Sequence, residues 1–261
     1  MGLMLPFSVA QAFPSAVDPE GVLFRIQQKV GDHIAQLPNY TCHEVINRSI
    51  QPVNANVLRQ YDQVELEVAF VGYRELFARP GDSHFAEQPI TTLVRTGTIG
   101  NGMFGSIVAS VFLGGVASFE FVGTSEKDGH KTYRFDYRVP QEKSRFSVKH
   151  NFTEAIVSYH GSFWADAETY DLVRIELIAD QTPAEIGVAF IKERVQYTAL
   201  RIREAEFLLP LHAETDSMDT SGDFTRNDLT LEQCREFTGE SSVTFGGPLD
   251  VPTAGQGAPR P

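Results

Sequence analysis

Apolar residues recur at helical spacing once near the start of the chain, and then at every second position for most of its length. Asp18 can cap a helix with Pro19 at its first position, and Val22, Ile26, Val30, Ile34 and Leu37 follow at intervals of three and four. The other face carries Arg25, Gln28, Lys29 and Asp32, so the pattern predicts an amphipathic helix that ends at Leu37-Pro38 and packs its apolar stripe on a sheet. From Tyr40 the period is two. Tyr40, Cys42, Glu44 and Ile46 form one row against Thr41, His43 and Val45, and Val64, Leu66 and Val68 form another before a Val71-Gly72 turn leads into Glu75 to Ala78.

Hairpin follows hairpin from there. Phe119-Glu120-Phe121 and Tyr133, Phe135, Tyr137 flank Lys127-Asp128-Gly129-His130, and Asp-Gly between alternating strands favours a turn whose residues take positive φ. Ser162 to Asp180 reads as two strands joined by an acidic turn, with Val173, Ile175, Leu177 and Ala179 in one row and Arg174, Glu176, Ile178 and Asp180 in the other. Further strands are expected over Ser144 to Lys149, Glu154 to Trp164, Val188 to Ile202, Phe207 to Asp216 and Asn227 to Phe245. Leu209-Pro210-Leu211 fits an edge or a bulge, because proline has no N–H for a central ladder. The exception to the β pattern is the uncharged stretch Thr96 to Phe119. Met103, Phe104, Ile107, Val108, Val111 and Phe112 there have helical spacing, and Gly114-Gly115 end it. Its glycines and polar residues suit a helix lying against or inside the sheet better than a membrane span.

The predicted fold class is mainly β (α+β): a curved antiparallel open sheet or half-barrel, with the N-terminal amphipathic helix and the mid-chain apolar helix packed on its concave side. The expected division is 1–17 as a signal segment and mature N-terminus, 18–245 as a single β-rich domain, and 246–261 as a disordered Gly/Pro-rich tail.

The arrangement Trp-x-Asp-x-x-Thr-x-x-Leu-x-Arg, here Trp164, Asp166, Thr169, Leu172 and Arg174, resembles a hairpin of the periplasmic carriers of the outer-membrane lipoprotein-sorting superfamily. The order of amphipathic helix, long meander, apolar helical segment and Asp/Thr hairpin is similar over about residues 18–245. The resemblance implies an open, strongly curved sheet that wraps helices and shelters acyl chains.

Charge and targeting narrow the reading. Against 22 basic side chains stand 34 acidic ones, for a formal charge of −12, so nucleic acid and anionic headgroups are repelled on average. Met1 to Ala10 is apolar and Ala10-Gln11-Ala12 offers a small-x-small cleavage pattern, although no basic residue precedes Arg25. The expectation is an exported or periplasmic protein without an integral membrane span. Cys42 and Cys234 then read as a disulfide tying the first strand to the last, worth about 4–5 kcal/mol on the chain-entropy model. Two unpaired buried thiols are the alternative.

The chain carries little that reads as catalytic. Gly100-Asn101-Gly102-Met103-Phe104-Gly105 matches G-x-G-x-x-G, but Glu120 falls inside a strand and hairpins follow, so close backbone packing is the favoured role of those glycines. The seven histidines are scattered, Asn47 stands where a His-Glu-x-x-His motif needs its second histidine, and a nucleophile elbow is absent. Asp216, Asp219 and Asp223 lack the spacing of an EF-hand. No metal, cofactor or catalytic residue is assigned. The expected ligand contacts are Met103, Phe104, Ile107, Val108, Val111, Phe112, Tyr133, Phe135, Tyr137 and Trp164. The reading is non-catalytic binding or transport of a lipid or other hydrophobic ligand in the cell envelope, with a lipid or acyl chain and an envelope protein as expected partners. The alternative is a structural or protein-interaction envelope domain with a filled core; a real cavity on the concave side separates the two.

Overall fold

The structure, a computed structural model, describes residues 17–71, 74–82, 85, 90–94, 99, 106–150 and 153–237. The expected signal segment up to residue 16, residues 238–261 including the expected tail at 246–261, Met103, Phe104 and the glycine motif at 100–105 lie outside them.

The first helix, α1 (Pro19–Gln36), begins and ends where its pattern indicates, with Val22, Ile26 and Val30 buried and Leu37 as its C-cap. Asp18 is the N-cap residue, but its side chain makes no capping bond; the Val22 N–H instead donates to the Asp18 carbonyl at 3.0 Å. Twelve strands follow: β1 (Tyr40–Gln51), β2 (Arg59–Val71), β3 (Arg74–Ala78), β4 (Ser118–Lys127), β5 (His130–Val139), β6 (Ser147–His150), β7 (Thr153–Ile156), β8 (Tyr159–Asp166), β9 (Leu172–Ala179), β10 (Val188–Ile202), β11 (Ala205–Asp219) and β12 (Phe224–Glu236). Ten of them form one sheet in the order β3-β2-β1-β12-β11-β10-β9-β8-β5-β4, every neighbouring pair antiparallel. The edges β3 and β4 do not pair with each other, so the sheet is open. Residues from both ends of it, such as Phe77 on β3 and Phe135 on β5, nevertheless join one core with the helices, which requires the sheet to curl over its helix-covered face. The separate hairpin β6–β7 covers a smaller apolar cluster of Val148, Val157, Ala179 and Ile186.

Local chemistry explains the joints. Asp128 and Gly129 take φ of 49° and 81° between Lys127 and His130, the turn expected of Asp-Gly. Pro210 sits where the β10–β11 register slips between Gln196 and Thr198, and beyond His212↔Thr230, the last β11–β12 pair, so its missing N–H leaves no ladder bond unmade. Cys42 and Cys234 are joined, bridging the adjacent β1 and β12 at the irregularity between Thr41 and His43, where Gln233 takes φ of 52°. Two expectations are corrected. Glu154 to Trp164 is two strands, parted after Ile156. The stretch expected as Asn227 to Phe245 starts earlier, at Phe224, and its strand ends at Glu236, with 238–245 outside the described residues. Of the mid-chain helix, α2, the described part is an α-turn at Ser106–Val108 that runs into a five-residue π-turn, Ala109–Leu113, before Gly115 at φ 60°.

The β8–β9 turn holds α1 in place. Asp166 Oδ1 accepts from the Glu168 and Thr169 N–H groups at 2.8 and 2.9 Å, and the Thr169 hydroxyl accepts from the Asp171 N–H at 3.2 Å. This fold of the turn presents Tyr170 to Arg25 (2.9 Å) and Asp171 to His33 (2.6 Å) and Lys29 (3.5 Å) on the helix. Arg174 reaches Asp128 in the neighbouring hairpin at 2.9 Å. Burial alone would raise the Asp171 carboxyl, but its bonds to His33 and Thr169 and the Lys29 charge outweigh that and hold it below the usual range. A depressed carboxylate stabilises the fold above its unfolded-state pKa, and that contribution disappears as pH falls through the folded value. Asp171→Asn is therefore expected to lower stability at neutral pH by about 1–2 kcal/mol in urea titrations, with the cost shrinking in acid. An equal cost at all pH values would contradict the clamp.

Candidate functional site

Between the helices and the curled face lies a cavity of about 580 Å³. Helix α1 contributes Val30, His33 and Ile34, with Leu37 just beyond its end, and α2 contributes Ile107, Val108, Ala109 and Ser110. The sheet supplies Tyr40, Phe70, Glu75, Phe77, Leu172, Leu177, Tyr197, Leu208 and Pro210, and Phe146 and Tyr159 close one side. The lining is thus mainly aliphatic and aromatic, the composition that suits a hydrophobic ligand.

Two of its polar groups are occupied. His33 bonds Asp171, and Ser110 and Tyr159 share a hydroxyl hydrogen bond of 2.8 Å. Arg145 lines the cavity and is exposed. Asn39 and Ser147 add neutral polar groups, and the rest of the polar lining carries one carboxyl and two phenols. Glu75 on β3, Tyr40 and Tyr197 line the cavity, and two further carboxyls, which do not line it, are buried in apolar rows of the sheet. Glu44 continues the apolar row of Tyr40, Cys42 and Ile46 and lies between Leu66 and Leu231 on the adjoining strands. Glu193, in the row of Val195 and Tyr197, lies between Leu177 and Thr215. They are 1% and 5% exposed. Glu44 Oε2 and Tyr197 Oη are buried without a hydrogen-bond partner. Among the described residues, Glu44 and Glu193 make no ion pair. Burial first, and the Glu75 charge second, push the Glu44 carboxyl up to about 8 and Glu193 up to about 7. The same two causes raise the hydroxyls of Tyr40 and Tyr197.

Of the residues expected to touch a ligand, Ile107 and Val108 reach the cavity. Val111 and Phe112 turn into the core, where the Phe112 ring meets Phe163 edge-on at 4.8 Å. Phe135 stacks on Phe163 at 5.3 Å, and Tyr133 on Tyr170 at 6.1 Å. Tyr137 crosses Gly161 to donate to the Glu176 carbonyl at 2.9 Å; a Cβ at Gly161 would come within 1.8 Å of that carbonyl oxygen. Trp164 lies on the opposite face of the sheet, against Lys127 and Arg134 at 4.6 and 5.4 Å. Met103 and Phe104 lie outside the described residues. Sequence reasoning did not single out Glu75, Tyr197 or Glu193, nor give Glu44 a role. The signal was present for Glu44, a carboxylate standing in an apolar alternating row. His/Cys/Asp/Glu groups suited to a metal ion are absent among the described residues.

The sheet and helices together define a β-rich, open and curled sheet with a mainly apolar cavity on its helix-covered face. No family model matches the chain, and no curated protein is similar to it. Solved structures of similar layout include a domain described as an outer membrane lipoprotein-sorting protein from Vibrio parahaemolyticus, 11% identical, with a TM-score of 0.45 over 86% of this chain and 96% of that one. A DUF1329 family protein from Desulfovibrio piger is 12% identical, with a TM-score of 0.47 over 86% and 96%. A LolA superfamily protein from Nitrosomonas europaea is 9% identical, with a TM-score of 0.37 over 85% and 94%. At these values the likeness carries no argument about what this chain binds.

Glu44 gives the site a pH signature. In the unfolded chain its carboxyl ionises near 4.5, whereas the folded site keeps it protonated up to about 8. Its contribution to stability is complete below the first value and is lost as pH rises toward the second. Glu44→Gln should therefore raise stability at pH 8–9 by a few kcal/mol and leave it nearly unchanged near pH 4, as read by denaturant titration. A uniform loss across that range would show that the carboxyl is charged and paired in the fold.

Proposed function

We propose that this protein is an exported, non-catalytic binder or carrier of a lipid or another hydrophobic ligand. The cavity carries the reading. Protein interiors pack to the density of organic crystals and leave few voids larger than a water molecule, so a mainly apolar recess of about 580 Å³ exceeds a packing defect and supports a binding site. Its size falls within the range of about 300–1,000 Å³ typical of small-molecule sites. A structural domain with a filled core has no use for it.

Export is supported by the apolar residues at 1–10 and by the Cys42–Cys234 bridge, a bond that persists in oxidising compartments. Among the described residues no helix is long and apolar enough to cross a membrane. Fractionation of the native cells with N-terminal sequencing should place the protein outside the cytoplasm, with a mature start near residue 13. A cytoplasmic protein beginning at Met1 would defeat this part of the reading.

A fluorescent fatty acid should bind the purified protein at micromolar concentration. Val108→Trp, which replaces cavity space with a ring, should weaken that binding at least about tenfold while the circular dichroism spectrum and melting curve stay near wild type. Failure of the folded wild type to bind acyl and isoprenoid probes would count for the filled-core alternative.

A further inference from the structure

The cavity opens beside a short stretch of positive charge in an otherwise acidic protein. Residues 140–149 carry Lys143, Arg145 and Lys149 against Glu142 alone, whereas the whole sequence has 34 acidic and 22 basic side chains. Arg145 lines the cavity and is exposed, so it stands at the opening. The backbone that carries it is fixed on both sides. The Ser144 N–H donates to the Gln141 carbonyl at 3.1 Å, the Ser144 hydroxyl accepts from the Phe146 N–H at 3.0 Å, and the Val157 N–H donates to the Phe146 carbonyl at 3.0 Å. The Phe146 ring packs 5.8 Å from that of Tyr159, and both line the cavity. Other polar groups of the lining are engaged: His33 by Asp171, Ser110 and Tyr159 by each other, while Asn39 and Glu75 have partners of their own. Glu154 stands opposite Lys149 across the β6–β7 hairpin. Arg145, among the described residues, makes no hydrogen bond or ion pair. Its guanidinium is charged at any ordinary pH and offers five donors in a fork that matches a carboxylate or a phosphate.

We propose that the ligand is an amphiphile with an anionic head, a carboxylate or a phosphate, seated on Arg145 at the opening with its hydrocarbon tail inside the cavity. This rests on the hydrophobic-ligand reading above and specifies the polar end and its position. Two parallel N–H···O bonds can join the guanidinium to such a head. Ser147, two residues on and also a cavity residue, adds a hydroxyl to the same rim. At the exposed end water still solvates the head, which spares it the cost of burying a charge in the apolar interior. Ile34, Val108, Phe146 and Leu177 offer the tail an uncharged lining. Elsewhere the balance runs against an anion. The net charge of −12 and the Glu75 carboxyl in the lining both repel it, so a preference for an anionic head needs a local cation. Among the lining residues Arg145 is the one that is permanently charged.

The test is isothermal titration calorimetry of the purified protein with dodecanoate, dodecyl phosphate, dodecanol and dodecylamine, each below its aggregation concentration. The four probes share one tail and differ only at the polar end. Dodecanoate or dodecyl phosphate should bind at least about fivefold more tightly than dodecanol and dodecylamine, the effect of one well-formed exposed ion pair, and the tighter of the two identifies the head. The advantage should shrink as salt is raised, since the pair is open to solvent. Arg145→Gln should remove it and leave dodecanol affinity unchanged, so dodecanol binding also reports that the variant is folded. Lys143→Gln, which deletes a neighbouring charge outside the cavity lining, should leave the preference as it is. Anions that bind no better than dodecanol, tightest binding of dodecylamine, or an anion preference that survives Arg145→Gln or falls equally with Lys143→Gln overturns the assignment to Arg145 and leaves the hydrophobic-ligand reading standing. If none of the four binds the folded wild type, both readings fall.

Discussion

One open sheet has to serve as both core and container. With β3 and β4 left unpaired at its edges, it can bury its apolar rows only by curling over the face that carries α1 and α2. Helix α1 lines one side, and in the described part of α2 Val111 and Phe112 complete the core while Ile107 and Val108 face the space between the helices and the sheet.

Two devices hold that geometry. The disulfide fixes β1 to its neighbour β12, joining residues 192 apart in the chain, and the β8–β9 turn fixes α1 through Tyr170 and Asp171. Both act next to the cavity: Tyr40, two residues before Cys42, and His33, the partner of Asp171, line it. The Trp-Asp-Thr-Leu-Arg pattern accordingly does its work in architecture. Asp166 and Thr169 shape the turn, Arg174 ties it to the next hairpin, and Leu172 is the one member that reaches the cavity wall.

Much of this was legible in the chain because the determinants are local. Alternation gave the rows of β1 and β9 and the full extent of β10, Asp128-Gly129 gave its turn, Pro19 and Leu37 bounded α1, and Pro210 marked its bulge. The wall of the cavity was not, because it is assembled across the sheet. Glu44, Glu75 and Glu193 come from β1, β3 and β10, separate strands that the curl of the sheet brings within electrostatic reach of one another. Aromatic alternation on β5 likewise predicts the inward face correctly but cannot distinguish a ring in the core, such as Phe135, from one against a ligand. Trp164 shows the other limit. Its neighbour Phe163 is also apolar, and strand pleating sends one of the two rings to the far face, where Lys127 and Arg134 cover it.

The central claim is that the hollow is a container. Native mass spectrometry of the protein taken from its own cell envelope under gentle conditions tests it most directly. The account predicts a population heavier than the polypeptide by the mass of one small hydrophobic molecule, lost on organic extraction. A single species at the polypeptide mass, together with an experimental structure whose side chains close the space between α1, α2 and the sheet, would contradict it.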